Sequence, residues 1–137
     1  MTEKEIQVQM LRIEAKRCGL DAPDSFWLAP VSDLAEKYNG CGPEWMSKFS
    51  RAALTFALRV FEPAILIHDY EFSLSDGSKE SFKAANSRIF ANCVKLAKAA
   101  YAWYDLWRYR WLRRAVVVWV FCQFGGWSAW TDAAAEM

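Results

Sequence analysis

The stretch EPAILIHDYEFSLSDGSKESFKAANSRIF, residues 62 to 90, decides the fold. Pro63 suits the first turn of a helix, where its missing N–H has no intrahelical partner to lose. Ile65 to Phe72 continue that helix, and Ser75-Asp76-Gly77 ends it with turn chemistry. Ser78 then caps a second helix. Two helices joined by a short turn lie antiparallel and bring residues equidistant from the turn to one level. His68 precedes the centre of the turn by about nine residues and Asn86 follows it by about nine, so each sits about 13 Å from the bend at 1.5 Å per residue. The two are therefore predicted to stand on facing walls of one hairpin. His68 is also the only histidine in the chain.

Helical signals extend outward from this pair. Thr2 and Glu5 make a capping box, Ile6, Met10, Ile13 and Arg17 follow at helical spacing, and Gly19 ends the run. A loop from Gly19 to Pro30 leads to a short helix over Ser32 to Lys37. YNGCGP, residues 38 to 43, reads as a loop with unusual backbone angles, and Glu44 to Val60 as a helix carrying Trp45, Phe49, Ala52, Phe56 and Val60. After Ser78 neither Gly nor Pro appears until Gly125. One helix of that length exceeds what a small domain holds, so a bend or break is expected around Tyr101 to Arg110. Repeats and low-complexity tracts are absent, and strand-type alternation nearly so. The fold class predicted is all-α, in one domain over residues 1–137.

Composition narrows the function classes. The 137 residues are 54% apolar and 16% aromatic, enough for one core. The formal net charge of +1 hides an uneven spread. Residues 1 to 78 carry twelve acids against eight bases, and residues 79 to 114 nine bases against two acids. A basic middle segment suits an anionic partner. The first 25 residues are charged throughout, so no secretion signal is expected. The strongest apolar run, Ala115 to Cys122, falls far short of the roughly 18 residues a transmembrane helix needs. Cys18, Cys41, Cys93 and Cys122 form no CxxC pair, which argues against zinc and for reduced thiols.

A histidine held across a helix pair, with an aspartate one residue on, is what a general base beside a metal ligand requires. The ring takes a proton from water while a hard cation bound by carboxylate and backbone oxygens polarises a carbonyl. The order NGCGP, then IHDYEF, then SDGSKESFKAANSRIF resembles phospholipase A2, in the cysteine-poor form carried by bacteriophages. Gly77-Ser78, Ala85-Asn86, Phe90 and the late FGGWSAW, residues 124 to 130, extend the likeness over residues 38 to 130, leaving 1–37 as an N-terminal helical extension. The resemblance implies an antiparallel catalytic helix pair and calcium-dependent hydrolysis of a phospholipid sn-2 ester. It makes His68 the base, and Asp69 with the backbone of Gly40, Cys41 and Gly42 the calcium site. Asn86 stands where the family carries the aspartate that orients the histidine, and Phe72 where it carries a tyrosine. The cysteine pairs of secreted members are missing, as suits a protein of the host cytoplasm or virion. The alternative on the same scaffold is a non-catalytic virion or interaction protein that contacts membrane or other phage proteins.

YAWYDLWRYRWLRR, residues 101 to 114, carries the partner question. Trp103, Trp107 and Trp111 recur every four residues, and Arg108, Arg110, Arg113 and Arg114 cluster beside them. Tryptophan with arginine is the composition of a helix in a phospholipid headgroup layer. The competing reading packs the tryptophans into the core and turns the arginines to water. Nucleic acid ranks last, since no recognised binding motif accompanies the charge.

Overall fold

The computed structural model describes residues 1–38 and 47–135. Within them the chain forms eight α-helices and one 3₁₀ turn, and no strand. The expected loop of Gly40, Cys41 and Gly42, and the expected helix start at Glu44, lie outside the described residues.

Helix α1 (Glu3–Arg17) begins where Thr2 Oγ1 accepts the Glu5 N–H at 3.1 Å. It ends in a left-handed Gly19 at φ 69°, with the Leu20 N–H returned to the Ala15 carbonyl, so the last carbonyls are satisfied before the chain turns. The following loop holds one unforeseen turn of helix, α2 (Asp24–Leu28), before α3 (Val31–Lys37). Helix α4 (Lys48–Ala57) stops short of the expected Val60, and a 3₁₀ turn over Arg59–Phe61 leads into α5 (Glu62–Ser73), with Pro63 in its first turn.

Helix α6 (Lys79–Ala100) is capped by Ser78, as the sequence predicts. Between α5 and α6, Gly77 takes φ 78°, and a Cβ there would stand 3.2 Å from that of Ala134. The positive φ favours glycine here, and a side chain would also crowd Ala134. The expected break falls between Ala100 and Leu106, where Asp105 accepts the Trp107 N–H at 2.9 Å and starts α7 (Leu106–Gly125). Gly126 separates it from α8 (Trp127–Ala135). FGGWSAW is therefore a helix junction rather than a helix end.

The main core runs from Val8, Ala15 and Phe26 through Phe61, Leu66 and Ile67 to Ile89, Leu96 and Trp111. Burying these side chains is the principal source of stability. A smaller cluster of Phe82, Ala85 and Trp130 sits at the α5–α6 turn, where α8 closes over the hairpin. There Trp130 packs edge-on to Phe72 at 5.1 Å, and its indole N–H donates to the Ser78 carbonyl at 3.1 Å. The loop after α1 is clamped to α6 by Asn92, which accepts the Asp21 N–H at 2.9 Å and donates to its carbonyl at 2.8 Å.

Candidate functional site

His68 and Asp69 lie midway along α5, which packs against α6. The apolar face of α5 is nearly continuous, from Pro63 to Ile67, and it draws His68 inward with it. The imidazole is nine-tenths buried, and its ring lies 4.8 Å from that of Phe72 one turn on. Burial holds its pKa down at about 4, against an ordinary 6.5; a hydrogen bond to the backbone of Ala85 pulls the other way and is outweighed. At neutral pH the ring is uncharged. The contact with Ala85 sets His68 against α6 one residue before Asn86, the position equidistant from the turn.

Asn86 is buried beside it, with its amide turned elsewhere. Its Nδ2 donates to Gln123 Oε1 of α7 at 3.1 Å, while its Oδ1 and the His68 Nδ1 are both buried without a partner. No hydrogen bond joins His68 to Asn86. A buried orphan of this kind costs about 1–3 kcal/mol, so two on one helix pair mark a place where packing has overruled hydrogen bonding.

Asp69 points off the buried face and is half-buried. Its carboxylate is the type of oxygen donor a hard cation takes. The partners that the resemblance gives it, at 40 to 42, lie outside the described residues, and among the described residues no three of His, Cys, Asp and Glu come together. Asp76 and Asn92 are both engaged elsewhere: Asp76 accepts from Ser78 and Ser81 in the turn, and Asn92 holds Asp21.

Three polar residues of this region, Glu71, Arg88 and Gln123, escaped the sequence reading. Glu71 is buried one turn beyond His68, and Arg88 donates to it at 2.9 Å while also reaching Asp21 at 2.9 Å. Burial pushes the Glu71 pKa up to about 7, against the opposing pull of Arg88. Its second oxygen, Oε1, has no partner. The available signal was its position three residues from His68, on the same helical face. Gln123 was signalled too, as a lone amide within the apolar run VVVWVFCQF.

On the aromatic segment the outcome is divided. Trp111 is 1% exposed and packs edge-on to Phe61 at 5.2 Å, with the Arg114 guanidinium 4.4 Å above its ring. Trp103 is 71% exposed and lies before α7 begins, so the four-residue spacing does not make one ridge. Trp107, Tyr104 and Tyr109 are exposed with it. No family model, curated protein or solved structure matches this chain.

Proposed function

We propose that this chain is a phospholipase A2-like protein of bacteriophage type, which cuts the sn-2 ester of a phospholipid with calcium. The observation that carries the reading is the packing of His68 against Ala85, beside Asn86, across an antiparallel pair. That is the arrangement in which one helix supplies a base and the next orients it. The imidazole is neutral, as a base must be, but a pKa held down at about 4 makes it a weak one, since a general base works best with a pKa near the operating pH. His68 would take a proton from the attacking water at Nε2, which must first release the Ala85 backbone, while Nδ1–H donates to Asn86 Oδ1, which has no other partner, once the amide lets go of Gln123. Asn86 brings no negative charge to stabilise an imidazolium, so turnover is expected to be slow. Asp69 and the backbone of Gly40, Cys41 and Gly42 would hold calcium, which when bound polarises the ester carbonyl. The partner is a phospholipid surface, met in the host cytoplasm or from the virion.

A second reading keeps the scaffold and drops the chemistry: a virion or interaction protein that binds membrane or other phage proteins. The bond from Asn86 to Gln123, and the burial of the His68 ring, favour it. Fatty-acid release from phosphatidylglycerol vesicles separates the two. Hydrolysis predicts release that needs calcium and is lost in His68→Gln. Release that is absent in the wild-type protein, or indifferent to both changes, leaves only the second reading.

A further inference from the structure

The outward face of α7 is divided along its length. Towards its N-terminal end it presents Arg110 and Arg113, next to the exposed rings of Trp107 and Tyr109. Towards its C-terminal end it presents Val116, Val117, Val120, Phe121 and Phe124, between 41% and 82% exposed. At 100° per residue these five fall on the same side of the helix as the two arginines. The opposite side, through Trp111, Ala115 and Val118, is buried in the core. A row of large apolar side chains exposed together on a well-packed helix marks a surface that something covers.

We propose that this face docks on an anionic phospholipid leaflet, with Val117, Val120, Phe121 and Phe124 entering the acyl boundary and Arg110 and Arg113 meeting lipid phosphates. The inference rests on the membrane partner named above and not on hydrolysis. Charge chooses the occupant. Residues 106 to 125 contain four arginines and no carboxylate. Two copies of this chain pairing by the face would bring both sets of arginines to the contact without an acid to meet them, whereas a leaflet supplies phosphate at one depth and hydrocarbon at the next. Among the described residues no helix is long and apolar enough to cross a membrane, so α7 lies on the leaflet. Trp107 and Tyr109, each with a polar atom on its ring, stand at the headgroup end, while Phe121 and Phe124, with none, stand at the deeper end. Beside the row, Ser87, Phe90, Val116 and Trp119 line a shallow groove of about 390 Å³ between α6 and α7, an apolar channel open to an acyl chain.

The test is cosedimentation of the full chain with vesicles, in EDTA so that calcium and hydrolysis play no part. Binding to phosphatidylglycerol–phosphatidylcholine vesicles is expected to exceed binding to phosphatidylcholine alone by tenfold or more. Val117→Glu/Phe121→Glu should lose at least tenfold, while Phe121→Leu stays within about twofold. Arg110→Glu/Arg113→Glu should abolish the preference for the anionic lipid. Since all four sites face solvent, circular dichroism and melting temperature of the variants should match the wild type. Wild-type binding with no loss in the Val117/Phe121 variant would overturn the inference while leaving membrane contact through another face. No wild-type binding to either vesicle would overturn both. A stable wild-type dimer in sedimentation, dispersed by the same double variant, would give the face to a second copy and overturn the lipid assignment.

Discussion

Asn86 gives its amide proton to Gln123, 37 residues further along the chain, at 3.1 Å. The bond ties α6 to α7 at the level where α6 meets His68 of α5. It also explains why the two residues that the turn geometry brings level do not join each other: the amide serves the third helix.

This bond predicts an asymmetry between its partners. Gln123→Ala strands the buried Asn86 amide as well as its already unpaired oxygen, and should destabilise the fold by about 1–3 kcal/mol. Asn86→Leu removes both buried polar atoms at nearly constant shape and leaves the half-buried Gln123 amide to turn to water, so it should cost less than about 1 kcal/mol or stabilise. Urea denaturation of the two variants measures the difference; an equal or reversed order would mean that burying the Asn86 amide without a partner costs little.

The pH dependence of stability should contain two opposed contributions. His68 has its pKa lowered to about 4 from 6.5, so the unfolded chain takes up the proton first on acidification. Its contribution is complete above 6.5 and fades as pH falls towards 4. Glu71 has its pKa raised to about 7 from 4.5, so the folded chain holds the proton longer. Its contribution is complete below 4.5 and fades as pH rises towards 7. Each has a slope of at most about 1.4 kcal/mol per pH unit. Where the windows overlap, Glu71→Gln should make stability climb more steeply with pH than in the wild type, and His68→Gln should tilt it the other way. Parallel profiles for the three proteins would refute both environments.

The tryptophans should divide into two classes. Trp111→Ala empties a fully buried site between Phe61 and the Arg114 guanidinium, at a cost of about 3–5 kcal/mol. Trp103→Ala, out in solvent, should change stability by no more than about 0.5 kcal/mol. Thermal melts decide this, and a large loss at Trp103 would place that ring against something within the fold.

The hairpin was legible because its information is local: a proline at one end, a glycine turn in the middle and a serine cap fix α5 and α6 within 30 residues of sequence. The α6–α7 break was legible as a necessity of length, and its position was written in Asp105, a cap residue hidden among aromatics. Without that cap, Trp103 and Trp111 read as one face of one helix, when they end on opposite sides of the solvent boundary. The short α2 was not legible because five residues are too few for a helical period to show. The partners of the candidate site were less legible still. Gln123 meets Asn86, and Asp21 meets Arg88, through tertiary packing that no local pattern encodes. The burial of Glu71 depends on Arg88 reaching it from α6, since a carboxylate is rarely buried without a partner. The apolar row on α7 was visible only as a short hydrophobic run, since which side of it meets solvent depends on where α6 lies.

A single histidine makes the central claim directly measurable, because one imidazole signal is one residue. The claim is that His68 is buried against the 85–86 step of α6, where an acid on α6 would act on it. Titration of the ring by NMR should give a midpoint near 4 in the wild type. Asn86→Asp should raise that midpoint, as a carboxylate within reach of the ring favours its charged form. A wild-type midpoint at the ordinary 6.5, or one unmoved by the aspartate, would contradict the placement on which the proposed chemistry depends.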